Sequence, residues 1–244
     1  MSADRAAWQA GAFTVSYTHL DVYKRQAKRR ALLNLPSYSL GEEIWNAVSH
    51  GIGAGLSVAA LVLLMVFTPK TPVHIFSLLV YSISMILLYV ISTLYHALPV
   101  TKGKKIFQIL DHCTIFFMIA GTYTPMLLLC VKGITGWVML GVVWAASIIG
   151  IVFNVIDMKR YRNFSMACYI CIGWSCVFII KPLVENLNAL QLCLLVGGGV
   201  LYTIGAVIYA KGKKFAYMHT LFHVFVVAAS VMQFFVVFTV VAFI

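Results

Sequence analysis

Four polar residues stand at the ends of long apolar runs: His96, Asp111, His219 and His223. Three imidazoles and a carboxylate are ligand types of a zinc centre. His219 and His223 are four residues apart, so on a helix both rings leave one face, about 6 Å apart along the axis. That spacing suits two ligands on one ion. Ser92 has the same offset from His96 and can line or support the site. Three nitrogens and one water make an open tetrahedral zinc site with Zn–N near ~2.0–2.1 Å. The metal brings the pKa of that water to around 7, and Asp111 is placed to bind, orient or deprotonate it. A hydrogen-bonded polar cluster without metal is the other reading. His74, alone near the end of its run, and His112, about 100° around a helix from Asp111, read as packing residues.

The elements that must position these residues are membrane helices. The chain is 62% hydrophobic and 10% charged, with a mean hydropathy of +0.95. A soluble domain of 244 residues would carry far more charge. About 20 apolar residues cross the hydrocarbon core as a helix. Seven such blocks occur, near residues 44–67, 73–98, 106–131, 136–156, 165–180, 189–210 and 215–243. No strand alternation is present, and an open sheet cannot stand in lipid. The expected fold is all-α: an integral membrane bundle of seven transmembrane helices.

The net charge of +11 is a topology signal rather than a nucleic-acid footprint. Fifteen of the 18 Lys and Arg residues lie before block one or in the connections after blocks two, four and six. Only Lys70, Lys132 and Lys181 lie in the others. The positive-inside rule then puts the N-terminus in the cytoplasm and the C-terminus outside. With that topology His96 ends block two, Asp111 lies a turn into block three, and His219 and His223 open block seven, all in the inner leaflet. Block one begins there too and brings Glu43, Asn46 and His50, which support the ligands from outside. Glu43 equally suits a helix start, where a carboxylate meets the positive end of the dipole.

Other features carry less chemistry. The six cysteines lie within apolar blocks and read as buried small hydrophobes, Cys168-x-x-Cys171 included; no disulfide is expected. Pro125 is expected to kink its helix, and Gly121 and Gly197–Gly199 to admit close helix contacts. Trp45, Trp137, Trp144 and Trp174 read as interface anchors. Residues 1–36 lack the apolar stretch of a cleavable signal peptide. Residues 15–26, VSYTHLDVYKRQ, back-translate to a nearly self-complementary stretch that resembles two transposase adapter ends joined back to back. Residues 1–26 are therefore read as a non-native, disordered chimera, 27–43 as a basic cytoplasmic segment, and 44–244 as the membrane domain.

Taken in order, Glu43-x-x-Asn46-x-x-x-His50, Ser92-x-x-x-His96 followed by Asp111, and His219-x-x-x-His223 resemble the three motifs of the progestin and adipoQ receptor superfamily. Glu42-Glu43, Ser92-Thr93-Leu94-Tyr95-His96, Asp111-His112 and Gly121-Thr122-Tyr123-Thr124-Pro125 resemble its bacterial branch, the hemolysin III proteins. The resemblance spans about residues 37–244. It implies seven helices, zinc on His96, His219 and His223, and Asp111 holding the zinc-bound water. It is also similar at this site to alkaline ceramidases. A multi-pass protein of the bacterial inner membrane follows, acting as a zinc-dependent hydrolase of lipid amides or esters with Asp111 and Ser92 as catalytic residues. The expected partners are membrane lipids, with no nucleic acid; no oligomeric state follows. The competing expectation is a non-enzymatic protein with structural zinc, either a pore-forming hemolysin or a membrane-state regulator.

Overall fold

The computed structural model describes residues 24–131, 133–212 and 215–242. The adapter-like segment lies outside the described residues up to residue 23. Residues 24–32 form a short helix, and a turn at 33–34 leads through an irregular stretch to Ser39.

Seven helices among the described residues are long and apolar enough to cross a membrane. They are α1 (Leu40–Phe67), α2 (Pro72–Ala97), α3 (Lys102–Pro125), α4 (Ile134–Asp157), α5 (Arg162–Asn186), α6 (Ala189–Lys211) and α7 (Met218–Ala242). The all-α seven-helix fold expected from the apolar blocks is thus the fold observed. Each chain neighbour packs on the next, and α7 returns to α1, so the bundle closes on itself. Among consecutive helices of the described residues, contact is thinnest between α5 and α6. The most buried span is α3 with its π extension, which explains why the Asp111 helix is less apolar than the rest yet stable.

Local chemistry sets the helix ends. Ser39 caps α1, its Oγ accepting from the Glu42 amide while the Glu42 side chain accepts from the Ser39 amide. This reciprocal cap satisfies two orphan donors. It starts α1 at Leu40, four residues before the apolar run begins. Asn188 and Gln191 cap α6 in the same way, and Thr71 followed by Pro72 opens α2.

Two helices break inside the apolar region, and the break in α5 has a hydrogen-bonding partner on α3. At Pro125, α3 passes into a π turn, Met126–Cys130. In α5 the α-helix stops at Gly173 and a 3₁₀ turn, Ser175–Ile179, intervenes before Ile180–Asn186. Backbone groups freed within lipid must be satisfied internally. The Tyr123 hydroxyl does this, donating to the Gly173 carbonyl and accepting from the Cys176 amide, both at 2.8 Å.

The glycines behave as expected in two places. A Cβ on Gly121 would meet Ser84 Oγ and the Val80 carbonyl of α2. A Cβ on Gly198 would meet the Gln233 amide of α7 at 2.6 Å. Two of the tryptophans differ from expectation. Trp45 and Trp137 are exposed, but the Trp144 indole donates to Thr124 Oγ1 and the Trp174 indole to Thr203 Oγ1 inside the bundle. All six cysteines are free, yet Cys171 and Cys193 lie exposed on the lipid-facing surface. A thiol is apolar enough to face either side of such a helix.

Candidate metal centre

Two helices bring the ligand candidates together at one end of the bundle. His96 arrives on the last turn of α2, and His219 and His223 on the first two turns of α7. Their Nε2 atoms converge: His219 is 3.3 Å from His96 and 3.1 Å from His223. Two nitrogens bound at ~2.0–2.1 Å to a tetrahedral ion stand about 3.3–3.4 Å apart, so the spacing needs little adjustment to hold one ion. The three rings form a group whose ligand atoms all lie within 4.8 Å of one another.

The outward nitrogens show which tautomers are present. His96 Nδ1 donates to Glu43 Oε2 at 2.8 Å. His223 Nδ1 donates to the Asn46 carbonyl at 3.1 Å. Their protons therefore point away from the centre, and both Nε2 atoms present lone pairs to it. One proton on His219 Nε2 can satisfy only one of the two facing lone pairs. A cation satisfies all three. The donor set and its geometry thus fit a metal ion, and imidazole with tetrahedral spacing suits zinc among others. Asp111 lies outside the 4.8 Å group.

Glu43, Asn46 and His50 of α1 all lie beside the three histidines. Glu43 turns inward although it follows the capping Glu42. Besides His96 it meets Lys104 Nζ at 2.9 Å and Arg30 Nη1 at 3.5 Å. Lys104 is itself buried and also donates to the carbonyls of His96 and Leu98. Asn46 is fully buried, and Thr220 Oγ1 donates to its Oδ1 at 2.6 Å. His50 stacks on His223, centroids 3.5 Å apart and planes 11° apart. Neither nitrogen of His50 has a hydrogen-bond partner among the described residues.

A cavity of ≈ 250 Å³ opens from this centre into the bundle. Ser92, Asp111, His219 and His223 line one end, and Leu183 and Gln233 the other. Ser92 Oγ faces the Asp111 carboxylate but makes no full hydrogen bond to any described residue. From His223 to Gln233 is ten residues, about 15 Å along α7. The walls between are almost wholly apolar and come from α3, α5, α6 and α7. Such a space takes a long apolar chain with a polar group at the histidine end.

Three neighbours of the centre carried no signal in the sequence. Lys104 and Arg30 belong to a basic fringe that reads as topology, and only packing shows them turned onto Glu43. Tyr38 precedes the first apolar block, yet its ring lies against His219, centroids 5.0 Å apart and planes 18° apart. Burial raises the Tyr38 phenol, which stays neutral. His112, read as a packing residue, is hydrogen-bonded to the Gln108 carbonyl and to Tyr209 Oη. The His74 ring is hydrogen-bonded to Thr71 Oγ1 at its own helix start.

Comparison with known proteins agrees with this architecture. Residues 38–234 match the family model described as Haemolysin-III related. The chain is 43% identical to Hemolysin-3 of Bacillus cereus, over 80% of this chain and 90% of that protein. It is 40% identical to the Hemolysin-3 homolog of Bacillus subtilis (strain 168), over 82% and 94%. A more distant similarity, 23% identity over 65% of this chain and 67% of the other, links it to the Monocyte to macrophage differentiation factor of Homo sapiens.

Proposed function

The chain belongs to the haemolysin-III family, and from that premise and the geometry of the centre we propose a zinc-dependent hydrolase of lipid amides or esters in the bacterial inner membrane. The observation that carries this reading is one juxtaposition. Three imidazole nitrogens face each other at the mouth of an apolar cavity that Ser92 and Asp111 also line.

Each residue then has a task. His96, His219 and His223 would hold the metal. Bound zinc supplies a Lewis acid and an activated water at neutral pH. Asp111 sits beside the cavity rather than among the ligands, so its carboxylate takes the proton of an attacking water and returns it to the leaving group. The Ser92 hydroxyl, lacking a full partner, is free to donate to the substrate carbonyl oxygen. The apolar walls hold the acyl chain and exclude bulk water. Sparse contact between α5 and α6 gives a lipid chain a side entrance from the bilayer.

Orientation follows the charge. Residues before α1 and the connections after α2, α4 and α6 share one end of the bundle with the three histidines, and most of the Lys and Arg residues lie there. The positive-inside rule assigns that end to the cytoplasm.

The name of the Bacillus cereus relative, Hemolysin-3, supports a second reading, membrane lysis without turnover. Asp111→Asn separates the two. The variant, purified in detergent with zinc and offered long-chain N-acyl amides and acyl esters, is expected to keep its metal and lose at least 100-fold in turnover. A wild-type protein that cleaves none of these substrates while lysing erythrocytes would favour the second reading.

A further inference from the structure

We infer that Tyr38 is a positioning residue for the metal centre, setting the His219 ring through a strap formed by residues 30–39. This rests on the metal-binding reading above and adds a residue to it.

The three ligand candidates are not held alike. His96 is fixed from behind by the Glu43 carboxylate and His223 by the Asn46 carbonyl. His219 Nδ1 is buried and has no hydrogen-bond partner among the described residues. A histidine ligand is normally oriented by a hydrogen bond to its other nitrogen. Here a flat contact stands in that place: the Tyr38 ring lies nearly parallel to His219 and tilted against His96, centroids 5.0 and 5.7 Å away. On its other sides His219 meets Tyr209 and Phe222, both tilted. Tyr38 is the contact that defines the plane of the ring.

The strap keeps Tyr38 in place with polar contacts at both ends. Upstream, Arg30 Nη1 donates to the Pro36 carbonyl at 2.8 Å and reaches Glu43 at 3.5 Å. Leu35 is buried, and Asn34 takes a positive φ of 50°, turning the chain back toward the bundle. Downstream, Ser39 is locked into the α1 cap, and Glu42 Oε1 accepts from the Tyr217 amide at 3.1 Å, two residues before His219. The same short segment therefore touches the approach to α7 and the ligand on it. A stacked aromatic contact of this kind favours one ring orientation over others.

The test compares the full chain with its Tyr38→Ala, Tyr38→Phe and Arg30→Ala variants, each purified in detergent. Zinc affinity is measured by competition with a chromophoric chelator, and the ligand field by the visible absorption of cobalt-substituted protein. Tyr38→Ala is expected to weaken zinc about tenfold or more, in line with lost outer support of a ligand, and to alter the cobalt spectrum. Tyr38→Phe keeps the stacked ring and should stay within about twofold of the unaltered chain. Arg30→Ala, which loosens the strap while leaving Tyr38 present, should move affinity in the same direction by less. Equal affinity and spectra for Tyr38→Ala and the unaltered chain would overturn the inference and leave the metal reading standing. Should Tyr38→Ala not fold, Arg30→Ala with unchanged affinity and cobalt spectrum overturns it. A Tyr38→Phe loss as large as that of Tyr38→Ala would assign the role to the hydroxyl and overturn the stacking argument. An unaltered chain that binds no zinc overturns the metal reading and this inference together.

Discussion

Glu43 Oε2 lies 2.8 Å from His96 Nδ1, a bond between residues 53 apart in sequence that ties the start of α1 to the end of α2. The same carboxylate answers the buried Lys104 on α3. One side chain thus fixes the His96 tautomer and neutralises a cation that would otherwise stand alone. Removing one partner of a buried pair costs about 3–5 kcal/mol, because the other charge is left unpaired. Glu43→Ala is expected to lose most of that stability and to weaken zinc 10- to 100-fold. Glu43→Gln, which keeps an acceptor oxygen, should fall between. Thermal unfolding and chelator competition measure the two effects.

The contact of α3 with α4 depends on one missing methyl group. A Cβ on Gly150 would run into the ring of Phe116, which is fully buried. Gly150→Ala should destabilise the bundle by about 1–3 kcal/mol through overpacking. Gly141, on the same helix, meets nothing within 4 Å. Gly141→Ala is the matched control and should leave the melting temperature unchanged or slightly raised.

Acyl-chain binding predicts that filling the cavity blocks long substrates and spares the metal. Ala206 of α6 lines the cavity near Tyr209. Ala206→Phe is expected to lower turnover of long-chain amides at least tenfold while zinc content stays at the unaltered level. Loss of zinc in parallel would show that the substitution acts on the fold instead.

The charge asymmetry predicts where the termini lie. Alkaline phosphatase fused after the C-terminus should be active in intact cells, since it folds outside the cytoplasm. A fluorescent protein in the same place should be dark. The reverse pattern would invert the membrane assignment of the whole centre.

Much of this architecture was legible from apolar blocks and from the i,i+4 spacing of His219 and His223, because bilayer thickness and helix geometry leave few alternatives. The alternation of blocks also brought His96 and Asp111 to the same end before any packing was known. What stayed hidden depends on packing. Lys104 and Arg30 are chemically indistinguishable in sequence from the other basic residues, and only the fold turns them onto Glu43. Tyr38 lies before the first apolar run, where nothing marks it as a neighbour of His219. Trp144 lies in the middle of α4 and Trp174 at the break within α5, and only packing shows that their indoles find hydroxyls on neighbouring helices. The α5 break depends on Tyr123 of another helix to satisfy its backbone, so its own residues could not reveal it.

The central claim is that His96, His219 and His223 hold one metal ion. Its most direct measurement is the zinc content of the purified chain beside that of His219→Ala, by elemental analysis after dialysis against a weak chelator. The account predicts close to one zinc per unaltered chain, and a His219→Ala protein of the same helical content holding less than a tenth of that. Equal zinc in the two proteins would contradict it.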